Sequence, residues 1–138
     1  MVKVHFCRSR KPGSVLIQFF TFSRWSHVAI EIDGTVIDAT LRNGVARWPA
    51  KDFAKRYREI KTVPLLVSDP SEFRAFLSAQ VGKRYDWTAL VALPFRADWQ
   101  DQSKWFCSEL AASAISRGGR SLRLPSYRVT PRDLWVAL

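Results

Sequence analysis

The clearest pattern in this chain is a pair of alternating segments. His27-Val28-Ala29-Ile30-Glu31-Ile32 and Thr35-Val36-Ile37-Asp38-Ala39-Thr40 are rich in β-branched residues and are separated by Asp33-Gly34. An Asp-Gly pair between two such runs predicts a β-hairpin with a two-residue turn. A second pattern has the helical period. From Cys107 onward apolar residues fall at Cys107, Leu110, Ala111, Ala114 and Ile115. That is the i, i+3, i+4, i+7, i+8 stripe of a helix with one buried face. Gly118-Gly119 ends it, since glycine accepts the left-handed conformation past a helix C-terminus. Ser103 is the candidate N-cap, which puts Cys107 in or next to the first turn.

The remaining segments fill in around these two. Val2 to Cys7 is a short apolar stretch that reads as an edge strand, followed by a basic turn through Pro12-Gly13. Ser14 to Phe22 has strand-like residues in an apolar run that also fits a short helix. Asn43-Gly44 predicts a turn before Val45 to Trp48. Lys51 to Glu59 reads as a short basic helix with Phe53 and Tyr57 one turn apart, and Ile60 to Val67 as a buried strand. Asp69-Pro70-Ser71-Glu72 combines a cap, a first-turn proline and an Asp-x-x-Glu capping box. The helix it opens has Phe73, Phe76, Leu77 and Val81 on its apolar face. Gly82 to Tyr85 is a turn, and Asp86 caps a helix from Trp87 to Leu93 that Pro94 stops. A polar loop over 96–103 and a basic connector from Arg117 to Arg128 flank the cysteine helix. Thr130-Pro131-Arg132-Asp133 starts a last short helix. Strands come first and helices after, which predicts one α+β domain over residues 1–138.

Composition narrows the class. With 138 residues, 47% of them hydrophobic, and six tryptophans, the chain has the makings of a packed core. No apolar run approaches the roughly 20 residues that span a bilayer. The N-terminus has none of the segments of a signal peptide, so a cytoplasmic location is expected, with release by lysis or delivery by a phage particle left open. Two cysteines make no disulfide framework and predict free thiols. The net charge of +10 comes from 22 Lys and Arg against 12 Asp and Glu. The basic residues are densest over Arg8 to Lys11, Lys51 to Lys61 and Arg117 to Arg132. Such a charge attracts nucleic acid, anionic lipid or an acidic cell-wall polymer, and it also serves as a solvated surface.

The candidate chemistry follows from register. The chain has two histidines, His5 and His27. With Asp33-Gly34 as the hairpin loop, Ile32 faces Thr35, Ala29 faces Asp38 and His27 faces Thr40. His27 and Asp38 then share a face as a diagonal pair roughly 7–8 Å apart. Glu31 shares that face but lies about 13 Å from His27 along the strand. At the start of a helix, Cys107 meets the dipole and free amides that favour a thiolate. Cysteine, a base within reach and an acid to orient the base make a nucleophilic triad. The plainer readings are a small core residue for Cys107, a strand-end histidine for His27 and a solvated carboxylate for Asp38. His5, Cys7, His27 and Cys107 are zinc-ligand types but lack the close paired spacings of a structural site. No metal and no cofactor is expected.

Together the residues resemble a family. Trp25-Ser26-His27-Val28-Ala29-Ile30 with its hairpin, Gly82-x-x-Tyr85-Asp86, and Trp105-Phe106-Cys107-Ser108-Glu109-Leu110 look like the circularly permuted branch of the NlpC-type papain-like hydrolases. That branch includes relatives of lecithin:retinol acyltransferase and small bacterial and phage proteins. The resemblance runs from about Gly13 to the C-terminal Thr-Pro-Arg-Asp-Leu. It implies an antiparallel sheet carrying the histidine, packed against a helix carrying the cysteine. Cys107 matches the nucleophile, His27 the base and Asp38 the third polar position, where relatives often carry His or Glu. Tyr85 matches a tyrosine lining the site, and Trp25 and Trp105 are expected to contact substrate. The implied activity is that of a cysteine peptidase or amidase working through a thioester, with cell-wall peptide as one substrate. Two alternatives stand beside it: an acyl hydrolase or transferase acting on lipid or thioester, and a catalytically silent binder of nucleic acid or another polyanion.

Overall fold

The computed structural model describes residues 1–88, 104–123, 125–126 and 129–138. In chain order its elements are β1 (Val2–Arg8), α1 (Pro12–Thr21), β2 (His27–Ile32), β3 (Thr35–Thr40) and β4 (Gly44–Pro49). There follow α2 (Ala50–Ala54), β5 (Glu59–Leu65), α3 (Pro70–Gln80), β6 (Arg84–Tyr85), β7 (Lys104–Trp105), α4 (Cys107–Arg117) and α5 (Pro131–Ala137). Five strands form one sheet in the order β4-β3-β2-β1-β5, with every neighbouring pair antiparallel. The architecture is α+β, a five-stranded antiparallel sheet packed against helices.

Alternation sorts the sheet into two faces. One face presents Val4 and Phe6 from β1, Val28 and Ile30 from β2, and Ile37 and Ala39 from β3. These pack on Leu110, Ala111, Ala114 and Ile115 of α4 and on Phe73 and Leu77 of α3. The stripe read from Cys107 is therefore the buried face of α4. The opposite face carries Cys7, Ala29 and Val36, covered by Phe53 of α2 with Trp48, Tyr57 and Ile60 around it. Because β2 is covered on both sides, all six of its residues are buried. Truncating a fully buried leucine such as Leu110 to alanine in a core of this kind costs about 2–5 kcal/mol.

The hairpin forms in the expected register, with Ala29 opposite Asp38 and Ile32 opposite Thr35. Asp33 and Gly34 both have positive φ, 48° and 81°, as a type I′ turn requires. Other expectations are corrected. β1 lies inside the sheet between β2 and β5, not at an edge, because both its neighbours find hydrogen-bonding partners on it. The outer position falls to β5, which is half-exposed with only Leu65 buried, so Ile60 to Val67 is not a buried strand. Pro64 suits that place, since its missing N–H costs nothing on a free edge. The 14–22 run resolves as helix, with Pro12 in the first turn of α1. The basic helix is shorter than expected and ends at Ala54, before Tyr57.

The capping signals hold in part. Asp69 Oδ1 accepts from the backbone N–H of Ser71 and Glu72 at 3.1 and 3.0 Å. Glu72 pairs with Arg117 of α4 at 3.5 Å. Thr130 and Asp133 form a reciprocal capping box at the head of α5. The cysteine helix starts from Phe106, and Ser103 is not its N-cap, because Lys104–Trp105 is already extended. Asp86 accepts from Thr88 N–H at 3.0 Å, a cap-like contact. The rest of the helix expected from Trp87 to Leu93, and the 96–103 loop, lie outside the described residues. Among those described, no helix is long and apolar enough to cross a membrane.

Candidate active site

Cys107 is the first helical residue of α4, and it reaches the site because that helix packs along β2. Two contacts lock the helix in place. The Ser108 hydroxyl donates to the Val129 carbonyl at 2.6 Å, and Gly118 nests against Phe73 and Val67, where a Cβ would stand 2.9 Å from the phenyl ring. A two-residue parallel ladder not anticipated from the sequence pairs Tyr85 with Trp105, next to Phe106. That ladder carries Tyr85 to Cys107. The turn before it is held against β4, where Val45 N–H donates to the Lys83 carbonyl at 2.8 Å. Gly44, with φ of 61°, makes the approach possible: a Cβ there would sit 2.3 Å from that carbonyl oxygen.

His27 lies at the start of β2 and is buried. Its Nε2 hydrogen-bonds Asp38 Oδ2 at 2.9 Å, across the hairpin. Nδ1 is then the ring nitrogen that Asp38 does not engage. Burial alone pulls the imidazole pKa down. Although burial is the largest single influence, the neighbouring Cys107, the hydrogen bond to Asp38 and the charge of Asp38 together outweigh it and lift the ring from 6.5 to about 10. These interactions favour the protonated ring.

Asp38 is almost wholly enclosed, and both its oxygens have partners. Oδ1 accepts from the Trp48 indole N–H at 2.9 Å, and Arg56 Nη1 lies 3.9 Å from Oδ2. The same guanidinium stacks over the Trp48 ring at 4.2 Å. Tyr57 stacks on the His27 ring, with centroids 5.3 Å apart and planes 12° from parallel. Burial, and then the charges of Asp38 and Cys7, hold its phenol well above the usual tyrosine range. The roles of Trp48, Arg56 and Tyr57 are not evident from the sequence. The spacing of Phe53 and Tyr57 signals that this segment packs, but nothing local says what it packs on.

Beside His27 opens a cavity of about 800 Å³ whose walls include Ser14, Ile17, Thr40, Arg56, Tyr57 and Tyr85. Cys107 lies behind that wall, only 2% exposed and packed on Ile17, Phe106 and Tyr85. Burial, followed by the charges of Cys107 and Asp86, raises the Tyr85 phenol well above its ordinary value. The structure thus pairs His27 with Asp38 and packs Tyr85 against Cys107. The two tryptophans lie elsewhere. Trp25 is buried in the core against Phe6 and Trp135, because its strand approach points it inward. Trp105 packs edge-on against Phe76 and donates its N–H to Gln80 at 3.1 Å. Neither lines the cavity.

The remaining candidates are also partnered. Cys7 is fully buried opposite His27 on β1, and burial, then the charges of Asp38 and Cys107, push its thiol well up. His5 binds Glu31 Oε2 through Nε2 at 2.8 Å and the Thr62 hydroxyl through Nδ1 at 2.9 Å. Lys3 reaches the other Glu31 oxygen at 2.7 Å. The described residues hold no group of three or more His, Cys, Asp or Glu able to hold a metal ion. No known protein family matches the chain, and no curated protein matches it either.

Proposed function

We propose that the protein is a cysteine-dependent hydrolase, a peptidase or amidase of the circularly permuted NlpC-type papain-like kind, with cell-wall peptide as its foremost substrate class. One observation carries the reading: the His27 imidazole joins a buried carboxylate through one nitrogen, and Cys107 is the first residue of the helix packed along the same strand. Cys107 gives its thiol proton to His27 Nδ1 as Sγ attacks an acyl carbonyl, and the displaced electron pair collects on the oxygen. The Cys107 backbone N–H at the helix start is one donor to that oxyanion. Collapse expels the amine, which takes a proton from His27, and leaves an acyl thioester. Water gives a proton to His27 as it attacks, and the thiolate departs. Asp38 keeps Nε2 protonated throughout and so holds the ring in one tautomer.

Labelling with a thiol-directed acyl electrophile tests this reading. Adduct on Cys107, lost in His27→Ala, is the expected result. An unlabelled Cys107 in folded protein would leave a catalytically silent polyanion binder as the better account of the +10 charge. A lipid or thioester acyl group is the second substrate reading, favoured by the exposed apolar Leu41 in the cavity wall. Hydrolysis of cell-wall peptide and of phospholipid measured side by side separates the two.

A further inference from the structure

Helix α1 is built inside out. Its inward face holds Ser14, Gln18 and Thr21, with Ile17 the one buried apolar side chain. Those polar groups are satisfied locally. Ser14 hydrogen-bonds the Ser26 hydroxyl, Gln18 donates to the Ser14 carbonyl at 3.1 Å, and Thr21 donates to the Ile17 carbonyl at 2.7 Å. The outward face is Val15, Leu16, Phe19 and Phe20, all exposed, spanning an arc of about 140° at roughly 100° per residue. Phe19 is 68% exposed, and Phe22, which caps the helix, is 82% exposed. Phe22 also has φ of 49°, a conformation costly for a bulky residue, so the backbone is strained while its ring stands in water. The helix itself contains no charged residue. Arg10 and Lys11 stand before it and Arg24 after it, Arg24 pairing with Glu59 at 2.6 Å.

We infer that α1 docks the protein on the surface of an anionic lipid bilayer. An apolar face this continuous, exposed among the described residues, marks an interaction surface. The cations Arg10 and Lys11 at the head of such a face match a layer of anionic headgroups above hydrocarbon. Nucleic acid offers the phosphates but no apolar depth for Phe19 and Phe22. A second copy offers an apolar face but brings another +10 to meet the first. Gly13, Ser14 and Ile17 of the same helix line the cavity beside His27, so docking holds the cavity next to the headgroups. The docking itself does not depend on any thiol chemistry.

Co-sedimentation of the full chain with vesicles tests this. Phosphatidylcholine mixed with phosphatidylglycerol should bind the protein at least tenfold more tightly than phosphatidylcholine alone. Phe19→Gln/Phe22→Asn, with asparagine chosen for its tolerance of positive φ, should lose at least tenfold of that binding. Arg10→Gln/Lys11→Gln should lose several-fold and flatten the salt dependence. Circular dichroism and the Cys107 labelling rate, measured without vesicles, report on fold and on the hydrolase reading separately. Wild-type protein that ignores both vesicles, or a double-Phe variant that binds as well as wild type, overturns the inference. So does a wild-type dimer in sedimentation equilibrium that the double-Phe variant cannot form.

Discussion

His27–Asp38 and His5–Glu31 lie on the same face of the same sheet, with ring-to-carboxylate hydrogen bonds of 2.9 and 2.8 Å. Both rings are buried, and in both the acid comes from a neighbouring strand. They differ in what occupies the other ring nitrogen and the rest of the carboxylate. His5 Nδ1 meets the Thr62 hydroxyl, and Glu31 is neutralised by Lys3 at 2.7 Å, so the pair ties three strands together. His27 borders the cavity, and Cys107 at a helix start bears on its pKa. A histidine–carboxylate pair is thus a common way to satisfy polar groups on a sheet. The thiol and the open volume make one of these pairs a candidate for chemistry.

The comparison breaks most sharply at the thiol. Cys107→Ala should bring thiol-dependent turnover to background, a loss on the order of 10⁶-fold where a nucleophile works within a triad. Cys7→Ser should leave it in place, since Cys7 is sealed under the sheet with its pKa pushed up by burial. Mass mapping of a labelled cysteine together with kcat decides this. Turnover surviving in Cys107→Ala would reduce His27–Asp38 to the same structural role as its neighbour.

At the acids, Asp38→Asn should lower kcat by about 10²–10⁴-fold with folding intact, because the ring loses its tautomer lock. Glu31→Gln should change kcat little and cost about 1–3 kcal/mol of stability, since it releases Lys3 and His5 from their shared partner. Steady-state kinetics and urea denaturation on the two variants test the contrast. If Glu31→Gln is the variant that cripples turnover, His27 is not the base.

This contrast is legible in the amino-acid sequence because it rests on one short turn. Asp33-Gly34 sets the register, the register puts Asp38 diagonally beside His27, and Glu31 is left far up the strand. The helical stripe from Cys107 is legible for the same reason: its period is local. What the sequence hides depends on distant segments meeting. Trp48, Arg56 and Tyr57 reach Asp38 and His27 from β4 and from the turn after α2, and no spacing links those stretches to the hairpin. The inner place of β1 is hidden because Lys3 and His5 look like the solvent side of an edge strand, although both are partnered with Glu31. Trp25 and Trp105 look like binding residues in a motif, yet each fills a packing site.

Stability against pH sharpens the comparison, because the two pairs fail at opposite ends. The folded pKa of His27, about 10, lies above the unfolded 6.5. Its contribution is whole below about 6.5 and is lost as pH climbs toward about 10. Burial alone would raise the Glu31 pKa, but hydrogen bonds from Lys3 and His5, with their charges, outweigh it and hold it below 4.5. Its contribution is present above that value and is lost as pH falls through the lowered one. Urea midpoints measured across pH should show His27→Gln flattening the alkaline limb alone and Glu31→Gln the acid limb alone. Cys107→Ala should move the alkaline limb to lower pH, since Cys107 is the largest influence raising the His27 pKa.

The smallest expected difference lies in the outer partners. Trp48→Phe keeps an aromatic ring beneath Arg56 but removes the N–H that Asp38 Oδ1 accepts at 2.9 Å. A buried carboxylate oxygen left without its donor costs about 1–3 kcal/mol, and the acid that orients His27 becomes freer to turn. Turnover should therefore fall by about tenfold, with kcat affected more than KM, because only the orientation of the base has changed. Thr62→Val is the matching change at the other pair. It removes the hydroxyl that His5 Nδ1 meets at 2.9 Å, on an edge strand where water can replace it, so stability should fall by about 1 kcal/mol with turnover unaltered. Equal loss of turnover in the two variants would mean that both act through general softening of the sheet. A loss confined to Trp48→Phe would show the indole holding Asp38 for its work on His27.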